Sequence, residues 1–161
     1  MSAATVRRSS LPMARFLILL ALLVSRPLFG AEARIDKVLP QLLDAQGRVA
    51  LSPSLYERDA YQAQLRLHPT NVAGLRFAIH WKAPRHGTNA VTVRLELRTA
   101  KRAGLPPLVL ESNEVPARWG GRWTLLAIDG TAYRKEGDVV AWRAVIRDGD
   151  REVASTRSFL W

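Results

Sequence analysis

Residues 75–82 read LRFAIHWK and residues 91–98 read VTVRLELR. In the first, Leu75, Phe77, Ile79 and Trp81 alternate with Arg76, Ala78, His80 and Lys82. In the second, Val91, Val93, Leu95 and Leu97 alternate with Thr92, Arg94, Glu96 and Arg98. A period of two sends alternate side chains to opposite faces of an extended chain, so both stretches read as half-buried strands. The intervening PRHGTN, residues 84–89, supplies the turn residues of an antiparallel connection.

Working outward, further strands are expected at 107–113, 122–128, 138–147 and 152–160. No helical stretch separates them, which points to an all-β antiparallel sandwich over residues 70–161. The segment 34–69 ahead of it is mixed. IDKVLPQLL is apolar but interrupted by Pro40, and DAQGR at 44–48 reads as a turn. Between Ser54 and Pro69 there is no Val, Ile or Thr. Ser54 with Glu57 forms a capping box and Pro69 is a stop, so a short helix is expected at 55–67.

The last two strands can be registered by hand. With Gly149 and Asp150 as a two-residue loop, Arg147 faces Glu152, Ile146 faces Val153 and Val140 faces Phe159. Trp142-Arg143, then Arg147-Asp148-Gly149-Asp150, then Ser155 to Phe159 resemble the final hairpin of bacterial fibronectin type III and related immunoglobulin-like domains. Ile128-Asp129-Gly130 followed by Tyr133 is similar to the corner before that hairpin. The resemblance implies that the Tyr133 hydroxyl ties back to the backbone there. It covers about the last 35 residues and implies a fold that binds or scaffolds, with no reaction attached.

The amino-terminal 33 residues differ in kind. MSAATVRRSSLPMAR carries Arg7, Arg8 and Arg15 with no acid, Phe16 to Val24 is an uninterrupted apolar run, and Ala31 and Ala33 form a small-residue pair. Basic, apolar, then small is the layout of a secretory signal peptide. A helix of nine residues rises only ~14 Å, about half of a bilayer core, so the run is too short to span. Ser9-Ser10-Leu11 fits the twin-arginine signal poorly, and the general secretory route is expected. Cleavage after Ala33 removes four arginines and Glu32, which lowers the formal net charge from +10 to +7. The chain has no cysteine, so the exported domain relies on its core and not on disulfides.

Little in the mature chain reads as chemistry. His68, His80 and His86 have no second histidine or cysteine at ligand spacing, so no metal is expected. No G-x-S-x-G, G-x-G-x-x-G or G-K-[ST] occurs, and no cofactor is expected. The acids Glu111, Glu114, Asp129, Asp138, Asp148 and Asp150 lie mostly beside glycines or at strand ends, where carboxylates serve turns.

Two surfaces are left as candidates. In RWGGRW, residues 118–123, Trp123 reads as a core residue leading a strand, whereas Trp119 and Arg122 are candidate ligand contacts. If the strands at 90–98 and 138–147 are neighbours, Arg94, Arg98, Arg143 and Arg147 share one outward face. That face is either a solvated mixed-charge surface or a shallow site for an anionic glycan, a lipid headgroup or an acidic partner. The resulting expectation is an exported, non-catalytic interaction or structural module of the cell envelope. The alternative is a module that binds carbohydrate or envelope polymer through Trp119 and basic residues. Export makes nucleic acid an unsuitable partner, and no transmembrane span follows the signal.

Overall fold

The computed structural model of the chain describes residues 33–83, 90–117 and 120–161. Seven strands and two α-helices follow one another as β1 (Arg34–Leu43), α1 (Leu55–Leu67), β2 (Gly74–Lys82), β3 (Val91–Thr99), β4 (Leu108–Glu114), β5 (Arg122–Asp129), α2 (Gly130–Glu136), β6 (Val139–Asp148) and β7 (Arg151–Arg157). They form two antiparallel sheets, ordered β1-β2-β5 and β4-β3-β6-β7. The strands expected after Gly74 and the helix at 55–67 occur at nearly the expected bounds. Ser54 Oγ caps α1 by accepting from the Glu57 N–H.

The core lies between the sheets. Leu75, Phe77, Ile79 and Trp81 of β2 face Val91, Val93, Leu95 and Leu97 of β3, and Ala144 and Ile146 of β6 join them. Trp81 has no exposed surface, and its indole N–H donates to Thr124 Oγ1 at 2.9 Å. This bond places Thr124, Leu126 and Ile128 inside. Trp123 and Leu125 therefore face solvent, 48% and 55% exposed, which corrects the reading of Trp123 as a core residue. Trp142 faces inward, opposite Leu97, but is only partly buried against the core.

Three bulges explain where the sequence reading slipped. β1 pairs with β2 over its length, so the sandwich begins earlier in the chain than the alternation after Gly74 suggested. In β1 the extra residue is Asp36: Ile35 pairs with Trp81 and Lys37 with His80. The bulge puts Ile35 and Val38 on one face at a spacing of three, which hides the alternation. Pro40 is tolerated because β1 is an edge strand.

In β7 the loop and the Arg147–Glu152 pair are as expected, but Val153 is extra and Ile146 faces Ala154. β7 ends at Arg157, so Phe159 leaves the sheet and is 98% exposed instead of facing Val140. Val140 is itself the extra residue of the third bulge, between the pairs Arg98–Ala141 and Thr99–Val139. Contrary to the expectation that no helical stretch separates the strands, the corner before β6 is the helix α2, capped by Asp129 accepting from the Ala132 N–H. Within it, the Tyr133 hydroxyl donates to Asp138 Oδ1 at 2.7 Å, a side-chain partner where the resemblance implied backbone.

Asp44 fastens the passage from β1 to α1. It is 3% exposed and accepts from the backbone N–H groups of Gln46 and Arg48, from Arg48 Nε and from the Tyr61 hydroxyl. Burial alone would push its carboxyl up, but these hydrogen bonds, Tyr61 foremost, hold it down at about 2. Its folded value lies below the ordinary 3.8, so its contribution is complete above that value and is lost as pH falls toward 2. Asp44→Asn is expected to cost about 2–3 kcal/mol at neutral pH in denaturant melts. The gap between wild type and variant should narrow as pH falls from about 4 to about 2. A gap constant over that range would contradict this role.

Candidate functional site

Gly120 and Gly121 lead the chain into β5, and the structure assigns each a separate reason. Gly120 has φ +79, a conformation that side chains other than glycine rarely adopt. Gly121 is needed for space, because a Cβ there would overlap Nε2 of His80. The His80 ring is thus held from three directions. Gly121 lies against Nε2, Asp36 Oδ2 is 3.2 Å from Nδ1, and the Trp123 ring sits 4.9 Å away at a tilt of 42°. Asp36 can reach His80 because it is the bulge residue of β1; it also contacts Arg34 and Lys82.

Below this cluster, the outer face of β1-β2-β5 carries an apolar row. Leu39, Ala78 and Leu125 lie side by side in register, and Ala127 continues along β5. Leu39 is 38% exposed; Leu125 lies across Ala78 from it, and Trp123 shares the outward parity of Leu125 on β5. Large apolar side chains next to one another on a solvent-facing sheet mark an interaction surface more often than isolated ones do. Lys37 and Arg76 flank the row, and Arg76 is held by Gln41 Oε1.

The residues singled out in the sequence separate in space. Arg122 has inward parity, opposite Trp81, and its Nε pairs with Glu114 of β4 at 2.8 Å, joining the two sheets at their shared edge. Trp119 lies outside the described residues. β3 and β6 are neighbours, so Arg94, Arg98, Arg143 and Arg147 do share the outer face of the four-stranded sheet.

Carboxylates alternate with these arginines. Arg94 contacts Glu111 and Glu96 at 2.8 Å each, and Arg143 contacts Glu96 at 3.5 Å and Glu152 at 2.7 Å. The Arg98 guanidinium lies 4.6 Å over the Trp161 ring, and Arg147 donates to the Asp150 carbonyl. Hydrogen bonding from Ser155 and Arg143 holds the Glu152 carboxyl below its usual range. The Trp123–His80 pairing went unseen in the sequence because it needs the parity of β5. The clue available there was the second glycine, which no left-handed turn requires.

No protein-family model matches the chain, and no curated protein matches it. Among solved structures it is similar to an immunoglobulin-like protein from Pseudomonas aeruginosa, at 14% identity over 80% of this chain and 96% of that one, with a TM-score of 0.37. The strand order decides the fold. In immunoglobulin lettering, β1, β2 and β5 are strands A, B and E, while β3, β6 and β7 are C, F and G. β4, between C and E, joins the C-F-G sheet. This is an immunoglobulin-like β-sandwich. In such a sandwich the outer face of the A-B-E sheet is ordinarily polar, which sets the Trp123–Leu125–Leu39 row apart.

Gly121→Ala is expected to cost about 1–3 kcal/mol, since the imidazole must leave its place between Asp36 and Trp123. Adding His80→Ala should recover much of that loss in a double-mutant cycle. Additive losses would show that the two residues do not interact.

Proposed function

We propose that the chain is an exported, non-catalytic immunoglobulin-like module that binds another envelope protein through the outer face of its A-B-E sheet. The observation that carries this reading is the uncovered apolar row of Trp123, Leu125 and Leu39, beside the His80–Trp123 pair. Two features favour a protein over a glycan. The row is mainly aliphatic, and a sugar platform needs several flat rings. Its rim is basic through Lys37, Arg76 and Lys82, which suits a partner whose contact patch is apolar with acidic margins.

The absence of a reaction is supported by the work the acids already do. Glu111, Glu114 and Glu152 hold arginines, Asp129 caps α2 and Asp138 holds Tyr133. Among the described residues, no helix is long and apolar enough to cross a membrane. Export itself rests on the amino-terminal sequence.

A photoreactive residue at Leu39, used in the native envelope, should give one protein adduct, and the same residue at Glu111 on the opposite sheet should not. Leu125→Asp should abolish the adduct while changing stability by no more than about 0.5 kcal/mol, as expected of a surface substitution. Equal adducts from both faces, or an adduct insensitive to Leu125→Asp, would contradict the proposal.

A further inference from the structure

One end of the sandwich is closed by its two helices. α1 lies in the connection from β1 to β2 and α2 in the connection from β5 to β6, and a cleft of about 670 Å³ opens between them. A volume of this order holds a small organic ligand. Its accessible lining is largely apolar, from Pro40, Tyr133, Val139, Val140 and Trp142, and the buried core residues Leu42, Leu65, Leu75 and Phe77 lie behind it. The cleft accounts for Trp142 facing inward without being fully buried.

The charged residues of the lining are two arginines and one aspartate. Arg66 of α1 and Arg134 of α2 both line the cleft and are both exposed, so each helix contributes one arginine to it. Neither makes an ion pair with a carboxylate among the described residues. Asp138, the carboxylate of the lining, accepts from the Tyr133 hydroxyl at 2.7 Å. An apolar trough with two exposed arginines in its lining fits a molecule with a long apolar body and one anionic end. A guanidinium fork matches a carboxylate in two-point geometry. An added peptide strand fits less well, because the adjoining sheet edge is β1, where Pro40 lacks the N–H a new strand would need.

We propose that this cleft binds a free single-chain anionic amphiphile, with its alkyl chain against Val140 and Trp142 and its carboxylate between Arg66 and Arg134. This site is separate from the outer face of the A-B-E sheet, and either can stand without the other.

The test uses a fatty acid brominated at mid-chain, kept below its micellar concentration, because bromine quenches tryptophan at close range. Of the described tryptophans, only Trp142 lines the cleft. Saturable quenching is expected in wild type and should be largely lost in Trp142→Phe. Arg66→Gln with Arg134→Gln should weaken binding at least tenfold and leave the melting curve unchanged, since both side chains are exposed. The alcohol of equal chain length should bind at least tenfold more weakly than the acid. Quenching that survives Trp142→Phe, equal affinity for acid and alcohol, or binding to anionic phospholipid vesicles without binding of the monomeric acid would each overturn the proposal.

Discussion

A single hydrogen bond inside the core, from the Trp81 indole to Thr124, sets which way β5 faces. The two faces of that strand are nearly matched in apolar content. Thr124, Leu126 and Ile128 lie on one, and Trp123, Leu125 and Ala127 on the other. Burial of apolar area alone would not separate them by much. Trp81 breaks the tie, because its N–H is fully buried and would lose about 1–3 kcal/mol if left without an acceptor. Threonine at the inward position supplies the acceptor. A slip of one residue would bury Trp123 and strand the Trp81 N–H.

With β5 fixed in this way, the two outer faces of the sandwich acquire different characters. On the four-stranded sheet, Glu111, Arg94, Glu96, Arg143 and Glu152 form a chain of alternating charges, and Val145, paired with Arg94 on the same face, is buried. Such a face is locally balanced in charge. On the three-stranded sheet, β5 and β1 bring out Trp123, Leu125 and Leu39 around the small Ala78. Gly121 yields its Cβ space to His80, and the bulge at Asp36 brings a carboxylate to the same imidazole. The tight turn, the bulge and the core hydrogen bond therefore converge on one patch.

Much of the fold was legible in the sequence because strands with one buried face write a period of two. β2 and β3 are such strands, and the capping residues of α1 were equally plain. β1 was not legible: the bulge at Asp36 changes its period and Pro40 interrupts it, and both are compatible with a strand only at a sheet edge. α2 is seven residues long, yet its bounds are written in Asp129 as the N-cap and Gly137, with φ +78, after the last turn. The arginine surface was located correctly by strand adjacency, while its ion pairing depended on side-chain reach. The facing of Trp123 could not be read from β5 alone, since it depends on a partner 43 residues away.

Hydroxyl-radical footprinting of the native protein, read by mass spectrometry after trypsin, tests the facing of β5 most directly. Cleavage after Lys82 and after Arg122 places Trp81 and Trp123 on separate peptides. The account predicts rapid oxidation of Trp123 in the folded protein, with Trp81 protected until denaturant unfolds it. Protection of Trp123 comparable to that of Trp81 would contradict it.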